Sequence, residues 1–273
     1  MDLEGKERAL SQFIGRFQSA IVAFSGGVDS SYLAFIANRV LGDRARVVTG
    51  ISPSVSQMQQ NLVKEFVARH GLNHVVIDTR EMENPSYTTN PSNRCYFCKS
   101  ELFAYLNRLR EEWGVEVVFD GSNRDDVGDY RPGRQAAGEQ SVVSPFIEVG
   151  LNKQEIRALS KKWGLATWDM PAMPCLSSRF PYGVEITEAK LRQVDRAEAF
   201  LRDLGFKNFR VRHHENLARI EIDVQEMPGI LDLTLLEVIN KELKALGYHY
   251  VTLDLQGFRS GSLNELLQLQ ARE

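Results

Sequence analysis

The segment from Ser25 to Ser30 reads Ser-Gly-Gly-Val-Asp-Ser and has the residue types that bind a phosphate group. An apolar run over residues 20–24 precedes it and a periodic segment over residues 30–41 follows, which indicates strand, glycine turn and helix. Gly26 and Gly27 let the backbone approach an anion closely, and the two serines add hydroxyl donors to the N–H groups of the helix start. The sequence therefore predicts a phosphate-binding loop.

Asp29 lies inside this loop, and its carboxylate is negatively charged, so it does not bind phosphate itself. Its expected task is to hold Mg²⁺, which then bridges phosphate oxygens. The alternative is a tight turn in which Ser or Asp caps the helix. The loop lacks both the lysine of the Walker P-loop and the third glycine of the dinucleotide-binding fingerprint.

The chain has three cysteines, of which Cys95 and Cys98 are separated by two residues and Cys175 follows far downstream. Three interpretations remain open: buried structural thiols, a dithiol redox pair, and a metal or iron–sulfur site. Zinc would need a fourth ligand from among five histidines. Arg179 follows Cys175 closely, and a thiolate beside an arginine would be stabilised and nucleophilic.

The composition is that of an ordinary globular protein. The 273 residues include 33 Lys and Arg against 36 Asp and Glu, a net charge of −3, with 43% hydrophobic residues. The near-neutral charge gives no reason to expect a nucleic acid partner. Three cysteines do not form a secreted disulfide framework, and neither a targeting segment nor a membrane span is expected, so the prediction is a cytoplasmic protein.

Strands and helices alternate in the first half of the chain. Apolar runs at residues 20–24, 46–51, 74–78 and 115–120 predict buried strands, and helices are predicted at residues 57–70 and 99–113. This order predicts an α/β fold with a doubly wound parallel sheet.

The pattern changes in the last third of the chain. It predicts a smaller α+β domain, with helices at residues 187–204 and 233–246 and strands at residues 209–212, 218–224 and 250–255. A Pro-rich bend from Met170 to Cys175 separates the halves, and its prolines disfavour helix. The predicted domains are residues 1–180 and 181–273.

The loop from Ser25 to Ser30 resembles the pyrophosphate loop of the PP-loop ATP pyrophosphatases, which transfer AMP from ATP to an oxygen of their substrate. That resemblance implies an adenine nucleotide α-hydrolase-like domain with ATP and Mg²⁺ as cofactors. It places the adenine at the ends of the first two strands, which here are Ala23 and Phe24, and Thr49, Gly50 and Ile51.

Further motifs resemble the LarE family, enzymes that insert sulfur during nickel-pincer nucleotide biosynthesis. They are the loop at residues 25–30 and the segments at residues 129–133, 177–183, 210–212 and 251–261. The resemblance implies a sulfurtransferase that converts a pyridinium 3,5-dicarboxylate mononucleotide into its thiocarboxylate. Some members sacrifice the sulfur of a single cysteine, whereas this chain resembles the branch in which three cysteines hold a [4Fe-4S] cluster that carries an extra sulfide.

The resemblance also implies roles for individual residues. Those implied to act in catalysis are Asp29, Cys95, Cys98 and Cys175, and the three thiols are the implied cluster ligands. The implied nucleotide site consists of Ala23, Ser25, Gly26, Gly27, Asp29, Ser30, Gly50 and Ile51. The implied site for the substrate phosphate consists of Ser178, Arg179, Arg210 and Arg212, with Glu198 nearby.

Arginine suits phosphate because its planar fork binds two oxygens at once. Arg210 and Arg212 are two residues apart on a predicted strand and therefore share one face, although an exposed basic strand edge is the alternative. Asp129 and Arg131 are either site residues or turn-formers beside Pro132. The resemblance also implies a homo-oligomer, specifically a hexamer. A protein that restores the sulfide is a candidate further partner.

Three other functions compete with this interpretation. A tRNA-thiolating enzyme with the same loop and a cluster would need a basic surface and salt-sensitive tRNA binding. An amide-forming pyrophosphatase would use ammonia and would not need the thiols. A nucleotide-binding sensor would bind ATP or AMP without releasing pyrophosphate in the presence of substrate.

Overall fold

The computed structural model describes residues 1–127, 132–259 and 261. The chain forms two compact units. The first consists of Met1–Ser52, Gln57–Tyr87 and Asn93–Met173, and the second contains Pro53–Ser56, Thr88–Ser92 and the described residues from Pro174 onward. The second unit thus begins before residue 181, and two short segments from the first half of the chain belong to it.

The first unit is built on a parallel sheet of four strands in the order β3–β2–β1–β4. The strands are β1 (Ala20–Ala23), β2 (Ala45–Ile51), β3 (His74–Asp78) and β4 (Val117–Phe119). In the register of the sheet, Val22 of β1 lies between Val47 of β2 and Phe119 of β4. β1 is consequently central, with paired strands on both sides.

Helices cover both faces of this sheet. The helices of this part of the chain are α1 (Leu3–Ile14), α2 (Val28–Leu41), α3 (Gln57–His70), α4 (Pro85–Thr88), α5 (Arg94–Glu112), α6 (Pro132–Glu139), α7 (Pro145–Glu148) and α8 (Lys153–Lys162). Ala20 and Val22 belong to one apolar cluster, which includes residues of α1, α2 and α8, whereas Ile21 belongs to a second cluster with residues of α5 and α6. This alternation confirms the doubly wound parallel sheet.

The largest error among the predicted boundaries is at the start of α5. The helix expected at residues 99–113 begins at Arg94, so Cys95 and Cys98 lie within α5 rather than before it. Residues 94–98 contain neither proline nor glycine, and the Tyr96 N–H donates to the carbonyl of Asn93 at 2.8 Å, which starts the first turn. Across the described residues, the helices are all too short or too polar to cross a membrane.

The second unit has a three-stranded sheet in the order β5–β6–β7. β5 (Phe209–His214) and β6 (Leu217–Ile222) form an antiparallel hairpin, and β7 (Tyr250–Leu253) runs parallel to β6. Its helices are α9 (Glu188–Asp203), α10 (Met227–Ile230) and α11 (Leu233–Ala245). Apolar residues of the sheet, α9 and α11 form one core, which confirms the predicted second α+β sheet.

The Pro-rich bend leads into a short 3₁₀ turn at Leu176–Arg179. The N–H of Leu176 donates to the carbonyl of Ser54 at 2.8 Å, and the N–H of Gly183 donates to the carbonyl of Asn90 at 2.9 Å. These bonds explain why the short segments around residues 53–56 and 88–92 belong to the second unit.

Candidate functional site

The loop between β1 and α2 has the geometry of an anion site. The hydroxyls of Ser25 and Ser30 are 3.1 Å apart, and the Ser25 N–H donates to the Ser30 oxygen at 3.2 Å. Gly27 precedes α2 in an extended conformation, and no side chain among the described residues caps the helix there. The first N–H groups of α2 are therefore available to an anion, and the dipole of the helix favours one.

Helix α3 packs against this loop and donates a hydrogen bond to it. Gly26 has a φ of +77°, and a Cβ at that position would lie 2.9 Å from Cγ2 of Val63. The Gln59 side-chain amide donates to the Ser25 carbonyl at 2.8 Å. Both the left-handed backbone and the close packing against α3 require glycine at position 26.

The turn after β4 approaches the loop from another side. A Cβ on Gly121 would lie only 3.1 Å from the backbone nitrogen of Ser30. The preceding Asp120 accepts hydrogen bonds from the hydroxyls of Ser122 at 2.6 Å and Ser144 at 2.5 Å. Gly121 is not among the residues predicted from the sequence; its only local signal is a glycine directly after a buried strand and an aspartate.

Asp29 lies in the first turn of α2, where its Oδ2 forms an ion pair with the ammonium of Lys153. Its other oxygen, Oδ1, is buried and has no hydrogen-bond partner in the described part of the chain. Burial raises the pKa of Asp29 above its ordinary value, an effect that Lys153 opposes and Asp126 reinforces. A buried carboxylate oxygen without a partner beside a phosphate loop fits Mg²⁺, which proteins hold with one or two carboxylates plus substrate phosphates.

The predicted adenine residues lie at the carboxyl ends of neighbouring strands. Ala23 ends β1, and Gly50 and Ile51 end β2. A Cβ on Gly50 would lie 2.8 Å from Cγ2 of Thr79 and 3.1 Å from Cδ1 of Leu102, so the backbone there is tightly packed. The structure thus brings the three residues to one edge of the sheet.

Two of the three thiols share one face of a helix. Cys95 and Cys98 are three residues apart in the first turns of α5; Cys95 is exposed and Cys98 half-buried. Gly133 of α6 lets the two helices approach here, because a Cβ on it would lie 2.9 Å from Cγ of Lys99.

Cys175 is a half-buried thiol of the second unit, directly before the 3₁₀ turn. The described ranges 1–127, 132–259 and 261 contain no cluster of three His, Cys, Asp or Glu side chains that could hold a metal ion. Cysteine thiolates are the usual ligands of iron–sulfur clusters, and Cys95 and Cys98 lie about one helical turn apart on α5.

The second unit has a buried ion pair between Arg179 and Glu198. Nε and Nη2 of Arg179 donate to the two carboxylate oxygens at 2.9 and 2.8 Å. Burial opposes both charges, but each partner stabilises the other, so the pKa of Arg179 is raised and the pKa of Glu198 is lowered. The remaining nitrogen, Nη1, donates to the carbonyls of Pro174 and Cys175 and to the Ser178 hydroxyl.

Arg212 is also buried and paired. Its Nε and Nη2 donate to Oε2 of Glu221 at 3.0 and 2.7 Å, and its Nη1 donates to the Ser178 carbonyl at 2.8 Å. Arg219 contacts the other Glu221 oxygen at 3.1 Å and also pairs with Asp254 at 2.8 Å. The alternative of an exposed basic edge is therefore wrong for Arg212, which is only 5% exposed.

Arg210 is half-buried close to these ion pairs. Burial and the neighbouring charge of Arg179 lower the pKa of Arg210 to about 10, and Arg212 adds to this effect. Glu198 and Glu221 oppose this effect, because their carboxylates pair with Arg179 and Arg212. The structure thus gathers Ser178, Arg179, Glu198, Arg210 and Arg212 within the second unit.

Glu221 and Arg219 are two further residues of this cluster that the sequence did not predict. The antiparallel register places Glu221 opposite Arg210 and Arg219 opposite Arg212. The signal for them is an Arg-x-Glu pattern on β6 that faces an Arg-x-Arg pattern on β5. Asp129 and Arg131 lie outside the described residues.

Comparisons with known proteins agree with these features. The NAD synthase family model matches residues 10–97, which include the phosphate loop. An uncharacterised protein of Synechocystis sp. is 47% identical over 97% of this chain and 99% of its own length. The pyridinium-3,5-bisthiocarboxylic acid mononucleotide synthase of Lactiplantibacillus plantarum is 34% identical over 97% of this chain and 96% of its own length. A component of the glutamine-hydrolysing GMP synthase of Thermoplasma acidophilum is 28% identical over 67% of this chain and 63% of its own length.

A serine- and glycine-rich loop between the central strand of a parallel sheet and the following helix defines a nucleotide-binding enzyme of the PP-loop class. The similarity to the Lactiplantibacillus synthase extends far beyond that loop, into the second unit. The chain belongs to the LarE family.

Proposed function

We propose that this protein is an ATP-dependent sulfurtransferase that acts on a pyridinium-3,5-dicarboxylate mononucleotide. The observation that carries the proposal is the cluster of Ser178, Arg179, Arg210 and Arg212 in a chain that also has a PP-loop. The arginine cluster suits the phosphate of a nucleotide substrate, and the PP-loop suits ATP. The similarity to the Lactiplantibacillus plantarum synthase supports the identity of the substrate.

ATP is needed because a carboxylate does not release an oxide ion. In the proposed first step a substrate carboxylate oxygen attacks the α-phosphorus, the bond to the bridging oxygen breaks, and pyrophosphate leaves with the electron pair. The hydroxyls of Ser25 and Ser30 and the N–H groups at the start of α2 hold the phosphate oxygens. Mg²⁺ bound by Asp29 would neutralise charge on the phosphates.

The second unit binds the substrate in this proposal. Arg210 and Arg212 attract its phosphate, and Ser178 donates a hydroxyl hydrogen bond. Glu198 acts through Arg179, because it orients the guanidinium and offsets its charge. The two arginines and the serine thereby orient the substrate for activation.

Sulfur transfer is assigned to the cysteines. Cys95, Cys98 and Cys175 would hold a [4Fe-4S] cluster, which when bound supplies a sulfide that displaces AMP from the activated carbonyl. The alternative within the same function is that Cys175 gives up its own sulfur. Cys175 is half-buried and its carbonyl accepts a hydrogen bond from Arg179, a position that suits either role.

The first test is pyrophosphate release from ATP with and without the dicarboxylate substrate. The expected result is release that depends on the substrate, together with a thiocarboxylate product after sulfide loading. Nucleotide binding without any substrate-dependent release would contradict the proposed function and favour a sensor.

A second test separates the two sulfur sources. After anaerobic reconstitution, bound iron of about four atoms per chain is expected, and Cys98→Ser should lower it. Ser100→Ala, on the same helix, is the control. A colourless protein without iron would overturn the cluster, and mass spectrometry should then show Cys175 without its sulfur after one turnover.

We also propose that the partners are a small-molecule nucleotide and further copies of this chain, with a sulfide-restoring protein as an additional partner. The net charge of −3 supports the absence of a nucleic acid partner. Salt-sensitive tRNA binding would contradict this, and light scattering that gives the mass of one chain would contradict the homo-oligomer.

A further inference from the structure

Asn90 lies at the centre of the short segment Thr88–Ser92, which belongs to the second unit. The residue is completely buried, and its amide nitrogen, Nδ2, donates to the carbonyls of Pro181 at 2.7 Å and Phe180 at 3.4 Å. Its own carbonyl accepts the N–H of Gly183 at 2.9 Å. One buried residue therefore holds a neighbouring segment through both its backbone and its side chain.

The segment that Asn90 holds follows directly after the 3₁₀ turn that contains Ser178 and Arg179. A turn of four residues has few hydrogen bonds of its own, so its orientation depends on contacts from outside it. Arg212 donates to the Ser178 carbonyl at 2.8 Å, and Nη1 of Arg179 donates to the Cys175 carbonyl at 3.1 Å. These bonds fix the start and the middle of the turn, and Asn90 fixes the chain where the turn ends.

The direction of the Ser178 hydroxyl depends on this arrangement. Its oxygen accepts a hydrogen bond from Nη1 of Arg179 at 2.9 Å, so its own proton is left to donate to a ligand. The guanidinium of Arg179 is itself bound to the Glu198 carboxylate. A shift of the backbone after Arg179 would therefore move the hydroxyl away from the direction that this network sets.

The backbone of Asn90 has an uncommon conformation. Its φ is +56°, in the left-handed region, and it directly precedes Pro91, which favours an extended residue before it. Glycine would adopt this backbone at lower cost. Asparagine instead buries an amide, which is unfavourable unless its donors have acceptors. The side chain is therefore explained by the two carbonyls that it holds rather than by the backbone alone.

We propose that Asn90 is a positioning residue, whose amide fixes the end of the 3₁₀ turn and thereby aims the Ser178 hydroxyl at the phosphate of the substrate. The inference rests on the proposed function, because it assumes that a mononucleotide phosphate binds at Ser178 and the arginines of β5. Asn90 does not touch the substrate in this arrangement. It acts only through the carbonyls of Phe180 and Pro181.

Calorimetry tests this role by measuring the affinity of the pyridinium-3,5-dicarboxylate mononucleotide for the unmodified chain and for Asn90→Gly. Glycine keeps the left-handed backbone and removes only the amide. We expect mononucleotide binding to weaken at least about fivefold, the loss of about one hydrogen bond, and ATP binding to change less than about twofold. Ile239→Val, which removes a buried methylene group from the core of the second unit, is the matched control and should leave both affinities within about twofold.

A second substitution separates positioning from a purely structural contribution. If Asn90 acts through the Ser178 hydroxyl, Asn90→Gly weakens mononucleotide binding less than about twofold in a Ser178→Ala background. If Asn90 only supports the fold, the weakening is the same in both backgrounds. Melting curves identify the folded variants, and Asn90→Ser, which keeps a single donor, replaces Asn90→Gly if the latter does not fold.

The outcomes separate this inference from the function on which it rests. Equal mononucleotide affinity for the unmodified chain and Asn90→Gly, or an equal loss with and without the Ser178 hydroxyl, overturns the role of Asn90 and leaves the proposed function standing. Failure of the unmodified chain to bind the mononucleotide overturns both.

Discussion

Arg179 and Glu198 face each other through two parallel hydrogen bonds, with both side chains almost completely removed from solvent. The same carboxylate accepts the N–H of Val211 at 3.1 Å, and the same guanidinium donates to the carbonyl of Cys175 at 3.1 Å. One ion pair therefore links strand β5, helix α9 and the backbone of the third cysteine.

Glu198→Gln should destabilise the second unit. The substitution keeps the shape but leaves Arg179 as a buried charge without its counter-charge, at a cost of about 3–5 kcal/mol. Urea denaturation measures the free energy of unfolding. The control is Glu188→Gln on the same helix, which breaks an exposed pair with Arg192 and should cost less than about 1 kcal/mol. Equal effects of the two substitutions would contradict the role of burial.

Asp29→Asn should nearly abolish pyrophosphate release from ATP. The amide has nearly the same shape but cannot offset the charge of a divalent cation, so kcat/KM for release should fall by at least about 100-fold. A discontinuous pyrophosphate assay measures this. Asp43→Asn, an exposed position just beyond the opposite end of α2, is the control. Unchanged release in Asp29→Asn would remove this carboxylate from the mechanism.

Gly50→Ala should destabilise the first unit by about 1–3 kcal/mol, because the added methyl group meets Cγ2 of Thr79. Thr79→Ser removes that methyl group and should recover at least about 0.5 kcal/mol in the double variant. Gly138→Ala is the control, since a Cβ there meets nothing within 4 Å. Additive effects of Gly50→Ala and Thr79→Ser would show that the two residues do not compete for space.

The second unit should lose stability as the solution is acidified. His213 is buried against Phe180 and Tyr248, and burial lowers the pKa of His213 from 6.5 to about 4. The folded state therefore prefers the neutral ring, and its stabilisation is complete above pH 6.5 and is lost as the pH falls toward 4.

The expected loss between pH 7.5 and pH 5 from His213 is about 1–2 kcal/mol. His213→Phe keeps an aromatic ring against Phe180 and should be less sensitive to pH by that amount, as measured by urea denaturation at both values. The same sensitivity in both proteins would show that other groups, such as His214, whose pKa is also lowered by burial, cause the whole effect.

The sequence predicts most of the fold because its local signals agree. The predicted bounds of α3 and β3 coincide with the observed ones, and both have apolar patterns that end at clear turn residues. The predicted start of α5 is too late. Two cysteines and an aromatic pair have weak helix propensity, and the tertiary contacts that hold their turn are not visible in the local pattern.

The sequence predicts a residue of the candidate site only where that residue belongs to a recognisable motif. The loop around Asp29 and the arginines of β5 belong to recognisable segments. Lys153 and Glu221 do not, because their importance follows from where α8 begins and from the register of β5 with β6. Contacts between residues far apart in the chain leave no local pattern to identify.

The order β3–β2–β1–β4 has a consequence for where the first unit can bind a ligand. The chain moves outward from β1 in one direction through β2 and β3 and returns to its other side with β4, so β1 is a topological switch point. Loops that follow strands on opposite sides of such a point diverge and leave a crevice between them. Such a crevice is where a doubly wound sheet binds its ligand, and the loop from Ser25 to Ser30 begins there, just after the carboxyl end of β1.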